Sequence, residues 1–277
     1  MFGPPCPLPK NANVLPFLWT YLVKDDGTKK ARCVCNGAPC KGTVILGHIY
    51  AGSLDQTGAQ IFWAAAAMRI LKVYGADISN AFAEAPPLVA PLYIRVDKQY
   101  RDWYREKGYG EIPEGHVLRV KRALQGHPEA ARNWALLIDG LLRKELHLQP
   151  TTHEPCLYSG NYEGTAVLFL RQVDDFAIAC PNETIAKGII NKINQFMSVQ
   201  IKYLGLLTRY NGVDVDQTNS FIKIYNTRYI DKIIAGHKKW FTPSQPCHTF
   251  PVPMKSEPSY IRKLEQAVPP STDKARV

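Results

Sequence analysis

The chain has 277 residues, 45% hydrophobic and 21% charged, with a formal net charge of +10, which is enough for one large domain or two to three smaller lobes. No apolar run is long enough to span a membrane, and the start Met1-Phe2-Gly3-Pro4-Pro5-Cys6-Pro7 has no basic segment leading into an apolar one, so no secretory signal is expected. Seven cysteines without regular pairing suit a reducing, intracellular setting (cytoplasm or nucleus), and the basic balance favours a polyanionic partner, most simply nucleic acid.

Residues 1–16 hold five prolines and predict an extended, poorly ordered lead-in. Residues 17–23 and 29–35 read as two strands joined by the turn Lys24-Asp25-Asp26-Gly27-Thr28, a hairpin whose tip and return strand are basic. The pair Asp25-Asp26, in polar surroundings before a glycine, reads as turn chemistry. Cys33, Cys35, Cys40 and His48 lack the C-x2-C hook of a zinc knuckle, and the alternation of Cys33 and Cys35 suits one face of a strand. Gly58 to Tyr74 predicts a buried helix with Ile61, Ala64, Ala65, Met68 and Leu71 inward and Gly75 as its stop. A strand through Ala76 and Asp77 follows, then a strand at 92–96, a short amphipathic helix opened by Asp97, and a strand at 117–120.

Pro128 predicts the first position of an amphipathic helix with Trp134, Leu137, Ile138, Leu141 and Leu142 on its apolar face. Strands near 156–160 and 165–172 precede Val173-Asp174-Asp175, and a helix over 183–197 turns Ile185, Ile189, Ile193 and Phe196 inward. Strands near 207–215 and 220–225 lead to a basic helix over 227–238, and 241–277 reads as irregular. Over residues 77–203 the order is an α+β layout, one sheet with helices on one face.

Asp174-Asp175 sits inside an apolar run of strand character, at the tip of an expected hairpin. Taken alone, the pair is either a solvated turn or half of a metal site. Asp77, at the end of another expected strand, supplies a third carboxylate if the strands pair centrally. Three carboxylates on adjacent strands suit two hard divalent cations, Mg²⁺ or Mn²⁺, handling a phosphoryl group. Phe82 would form a wall under an incoming sugar, and Lys30 and Arg32 could clamp a triphosphate.

In order and spacing these pieces resemble the reverse transcriptase domain of copia-type (Pseudoviridae-like) retrotransposon polyproteins over about residues 17–240. Lys30-Ala31-Arg32 resembles the fingers motif, Asp77-Ile78-Ser79-Asn80-Ala81-Phe82 motif A, and Leu124-Gln125-Gly126 with Arg132-Asn133-Trp134 motif B. Val173-Asp174-Asp175 resembles motif C, Lys202-Tyr203-Leu204-Gly205 the motif D region, and Tyr210-Asn211-Gly212-Val213 the primer grip.

The resemblance implies a right-hand polymerase fold with an antiparallel palm sheet backed by helices. Fingers would span about 17–75 and 86–124, palm about 76–85 and 125–215, and a short thumb about 216–250, with 251–277 leading toward a missing ribonuclease H region. It implies RNA-directed DNA synthesis from dNTPs on an RNA or DNA template with a primer. Asp77, Asp174, Asp175 and the Ile78 backbone would ligate two Mg²⁺ ions, and Phe82 would be the steric gate. Gln125 and Gly126 would lie against nucleotide and template, Lys202 would donate a proton to pyrophosphate, and Tyr210, Asn211 and Gly212 would hold the primer.

Three departures stand out: Gln172 where the family usually has an aromatic, Ala131 in place of a proline, and a Leu124-Gln125-Gly126 closer to the retroviral form. The chain is expected to be a piece of a longer polyprotein. The alternatives are a degenerate, inactive remnant that still binds nucleic acid, and another palm-fold polymerase such as an RNA-dependent RNA polymerase. The bulk of Phe82 opposes the latter.

Overall fold

The computed structural model describes residues 2–23, 27–38, 43, 45 and 47–240. Contacts divide the chain into Met1–Asn226 and Thr227–Val277, and each unit is described by itself. In chain order the first unit holds β1 (Phe2–Pro7), β2 (Asn13–Val23), β3 (Lys29–Cys35), α1 (Gln56–Met68), β4 (Lys72–Asp77), a 3-10 turn at Ala81–Ala83, β5 (Leu92–Arg95), α2 (Lys98–Glu106) and β6 (His116–Val120). It continues with α3 (Ala130–Glu145), β7 (Gln149–Pro150), β8 (Leu157–Tyr162), β9 (Thr165–Gln172), β10 (Asp175–Cys180), α4 (Glu183–Asn194), β11 (Lys202–Leu206), β12 (Arg209–Tyr210), β13 (Val213–Gln217) and β14 (Ile222–Tyr225). The second unit's described element is the helix α5 (Thr227–Trp240), close to the basic helix expected; the tail 241–277 and the pair Asp25-Asp26 lie outside the described residues.

The fold is mixed α+β, with three sheets among the described residues, and the strands of 77–203 fall in two of them where one was expected. A six-stranded antiparallel sheet runs β11-β4-β10-β9-β8-β7, a five-stranded one β1-β6-β5-β2-β3, and a meander β12-β13-β14. In the six-stranded sheet β4 lies between β10 and β11, strands far later in the sequence. Such a central strand is buried on both faces and reads as apolar or small throughout, as Val73-Tyr74-Gly75-Ala76 does. Gly75 belongs to this strand and stops no helix; a Cβ there would collide with Leu207.

Helices cover both faces of this sheet, a correction to the one-sided layout. On one face Tyr74, Ala76, Phe169, Phe176 and Ile178 cluster with Trp134, Ile138 and Leu142 of α3 and Ile189 and Ile193 of α4. On the other, Val73, Leu168, Leu170, Ala177 and Ala179 cluster with Phe62, Trp63 and Ala66 of α1 and with Tyr210 and Val215 of the meander.

The inner face of α1 also differs from expectation. Phe62 and Trp63 are buried, whereas Ile61 is 55% and Met68 85% exposed. The helix ends at Met68 because Ile70 takes a positive φ and Leu71 turns the chain into β4. Alanine-rich helices offer little contrast between faces, so the two aromatics decide which one packs. In α4, Phe196 lies beyond the helix and is 46% exposed; Ala186 and Ile190 join Ile189 and Ile193 inside. Pro128 precedes α3, which begins at Ala130.

The proline-rich start departs from a disordered lead-in. Phe2–Pro7 forms an edge strand antiparallel to β6, with Phe2 opposite Val120 and Pro7 opposite His116. Prolines lack the N–H that a central strand needs, so an edge is where they fit. Phe2 stacks edge-on against Phe17, with centroids 5.6 Å apart.

Three buried glutamates fasten loops to this core, each accepting two backbone amides. Glu84 accepts from Ser198 at 2.8 Å and Val199 at 3.0 Å. Glu129 accepts from Gly47 at 3.1 Å and Val89 at 3.4 Å, and Glu154 from Asp55 and Cys156, both at 2.8 Å. Glu84→Ala would leave two inward amides unpaired and is expected to lower the unfolding free energy by about 2–4 kcal/mol in urea titration. A loss within about 0.5 kcal/mol would show that water replaces the clamp.

Candidate functional site

The site starts from a strand pairing. Asp77, the last residue of β4, is the register partner of Asp175, the first residue of β10. On its other side Asp77 is the register partner of Lys202, the first residue of β11. Register partners in antiparallel strands present their side chains on the same face. One acid–acid–base row therefore crosses three strands: Asp175, Asp77, Lys202.

Asp174 occupies the two-residue turn between β9 and β10, closed by the Gln172–Asp175 pair. Its carbonyl accepts the Ile78 amide at 3.2 Å, tying the end of β4 to that turn. Ile78 is fully buried. The chain then bends through Asn80, at φ 64°, into the short 3-10 turn that presents Phe82, half-buried.

Asp77, Ile78, Phe82 and Asp174 line a cleft of about 600 Å³ together with Lys30, Arg32, Gln125 and Val173, among others, whereas Asp175 and Lys202 do not line it. Seven of the expected site residues thus meet at one cavity drawn from four separate stretches of chain. Phe2, Asn80 and Val173 line it too, and the sequence reading did not single them out. Phe2 was hidden by the prolines around it.

The remaining expected residues lie elsewhere. Gly126, at φ 96°, turns its backbone onto β3: a Cβ there would collide with the Cys35 carbonyl, and the Cys35 amide donates to Gln125 O at 2.9 Å. Its glycine is needed for this close approach. Tyr210 is buried, with its ring edge-on to Trp63, centroids 6.2 Å apart, and its hydroxyl 3.5 Å from the Asp175 carbonyl. It supports the site from beneath. Asn211 and Gly212, both at positive φ, form the exposed β12–β13 turn.

Electrostatics single out Asp175 among the three carboxylates. Burial, then the neighbouring Asp174 and Asp77, push the Asp175 carboxyl up from 3.8 to about 6. Like charges in register destabilise a sheet, and a cation would reverse that sign. Hard oxygen donors fit Mg²⁺ or Mn²⁺. Among the described residues, however, no three acidic, histidine or cysteine side chains are already drawn together as a closed metal cage. The carboxylates repel one another without converging on one point. Burial, with Asp97 and Cys35 adding, pushes the Cys33 thiol up to about 12, and burial raises Cys35 to about 11. Cys40 lies outside the described residues.

Comparison with known proteins adds a family. The family described as reverse transcriptase (RNA-dependent DNA polymerase) matches residues 6–254. The retrovirus-related Pol polyprotein from transposon TNT 1-94 of Nicotiana tabacum is 24% identical over 238 residues, covering 82% of this chain and 17% of that polyprotein. Among solved structures, telomerase from Candida albicans in complex with a fragment of telomeric RNA aligns over 79% of this chain and 47% of its own, at 10% identity and a TM-score of 0.39.

The raised Asp175 has a consequence for stability. Its folded value, about 6, lies above the unfolded 3.8, so protonation favours the fold. That contribution is full below pH 4 and is lost as pH rises past 6. Without divalent cations, Asp175→Asn is expected to raise stability at pH 7.5 by about 1–3 kcal/mol and to flatten the pH 4–6 decline, read by urea titration at each pH. Added Mn²⁺ should stabilise the unaltered chain and not the variant.

Proposed function

The chain belongs to the reverse transcriptase (RNA-dependent DNA polymerase) family, the copia-type likeness read from its motifs, and we propose that its cleft adds dNTPs to a primer 3′-hydroxyl on an RNA or DNA template. The observation that carries this reading is the pairing of Asp77 with Asp175 in register, with Asp174 in the adjoining turn bonded back to Ile78. Because the chain spans 17% of its polyprotein relative, the proposal concerns this domain's step alone.

In this reading the six-stranded sheet with α3 and α4 is the palm, the β2–β3 hairpin belongs to the fingers, and residues from about 216 onward begin the thumb. The net charge of +10 suits a nucleic-acid partner. Asp77, Asp174, Asp175 and the Ile78 carbonyl would hold two Mg²⁺, or Mn²⁺. Such ions, when bound, supply charge neutralisation at the transferring phosphoryl and ease loss of the 3′-hydroxyl proton.

The chain's own groups do the rest. The reaction joins the primer 3′-oxygen to the α-phosphorus and releases pyrophosphate. Lys30 and Arg32, on the cleft wall, neutralise the triphosphate. Phe82, on the cleft wall, would fill the space of a ribose 2′-hydroxyl, and Gln125, which also lines the cleft, would lie against the nucleotide. Lys202, beside Asp77 in register, would protonate the leaving pyrophosphate. Asn211 and Gly212 offer an exposed turn to the primer.

A second reading is a silent remnant that binds nucleic acid through the chain's net charge of +10. Primer extension on an RNA template with Mg²⁺ separates the two. Polymerase action predicts dNTP extension that falls at least about 10³-fold in Asp174→Asn, in line with loss of a charge-stabilising group. Binding without extension selects the remnant. Phe82→Ala is expected to raise rNTP over dNTP incorporation by about 10–200-fold, the range one steric contact provides; an unchanged ratio would remove Phe82 as the gate.

A further inference from the structure

The turn that carries Asp174 is held in a conformation that its sequence does not favour. Val173, the first central residue of the β9–β10 loop, has a φ of 56°. Positive φ at that position defines the I′ and II′ hairpin turns, where glycine or asparagine is usual. A β-branched residue there is a steric outlier, and such conformations persist only where the surroundings over-determine them.

Two groups do so here. Trp134 on α3, 1% exposed, donates its indole N–H to the Val173 carbonyl at 2.6 Å. The next carbonyl, of Asp174, accepts the Ile78 amide, so both central carbonyls of the turn are engaged. On the strand leading in, the Gln172 side-chain oxygen accepts the Leu54 amide at 3.0 Å. The following amide, of Asp55, donates to buried Glu154 at 2.8 Å, and Asp55 caps α1. Gln172, the departure from the family's usual aromatic, thus links the α1 entry to the hairpin through its carboxamide.

We infer that Trp134 and Gln172 are positioning residues that hold Val173 in its strained form and so aim Asp174 at the cleft, with the Trp134 indole N–H the principal brace. Neither touches the reacting atoms. The effect on reaction rate rests on the polymerase reading; the effect on the turn does not.

A double-substitution cycle in the full chain tests this. Trp134→Phe keeps a ring in the core and deletes the N–H; Val173→Gly removes the strain that the N–H opposes. Single-turnover extension rate, dNTP KM and the metal-free melting temperature are measured for the unaltered chain, each single variant and the double. Trp134→Phe is expected to slow extension about five- to tenfold at unchanged KM, the scale of one buried hydrogen bond. In the Val173→Gly background the same change should cost less than about twofold, with a correspondingly smaller drop in melting temperature. Gln172→Met should behave the same way with a smaller loss, which keeps the test open if Trp134→Phe folds poorly.

Equal losses from Trp134→Phe in both backgrounds, in rate and in melting temperature, would make Trp134 plain core packing and overturn the inference. If no chain extends a primer, the polymerase reading falls by itself, and the melting-temperature coupling still decides whether Trp134 braces the turn.

Discussion

Asp77 and Asp175 face one another across two hydrogen-bonded strands, a like-charge pairing that an antiparallel sheet ordinarily avoids. The surrounding structure can be understood as what it takes to keep that pairing. β4 and β10 are apolar almost to their ends, buried on both faces by α1 and the meander on one side and by α3 and α4 on the other. The repulsion is thus loaded onto the last residue of a strand pair that burial already holds in register. The same burial, with Asp174 and Asp77 adding, lifts the Asp175 carboxyl.

The chain uses its other buried carboxylates in the opposite way. Glu84, Glu129 and Glu154 each accept two backbone amides, so their charge is satisfied within the protein. Glu84 joins the segment after Phe82 to the loop after α4, and Glu154 joins the start of α1 to the start of β8. These clamps fix the segments that border the cleft. The buried glutamates thus hold loops, while Asp175 is crowded by the like charges of Asp174 and Asp77.

Much of the site could be read from residue order alone. The hairpin around Asp174, the strand ending at Asp77, the basic hairpin and Phe82 after a short offset are local features that spacing exposes, although the turn falls at Val173-Asp174 and Asp175 already belongs to β10. What stayed hidden followed from contacts between distant residues. Nothing near Trp134 in the sequence points to Val173, and nothing near Gly126 points to Cys35. Phe2 looked like part of a disordered start because edge pairing with β6 is not written in its neighbours. The face read for the alanine-rich α1 was the wrong one, since small residues fit either way until Phe62 and Trp63 find a sheet.

The Asp174-Asp175 pair shows where each kind of information stops. Sequence by itself determined that Asp174 and Asp175 would adjoin a hairpin turn, that a third carboxylate would end another strand, and that the family is that of reverse transcriptases, because these are matters of local propensity and ordered motifs; that only Asp174 lies in the turn came from the strand register. Only the tertiary structure decided that β4 inserts beside β10 so that Asp77 meets Asp175, that Lys202 flanks them, and that Trp134 grips the strained turn. Those placements depend on which strand pairs with which, a choice set by burying both faces of one sheet at once, and no local stretch of sequence contains it.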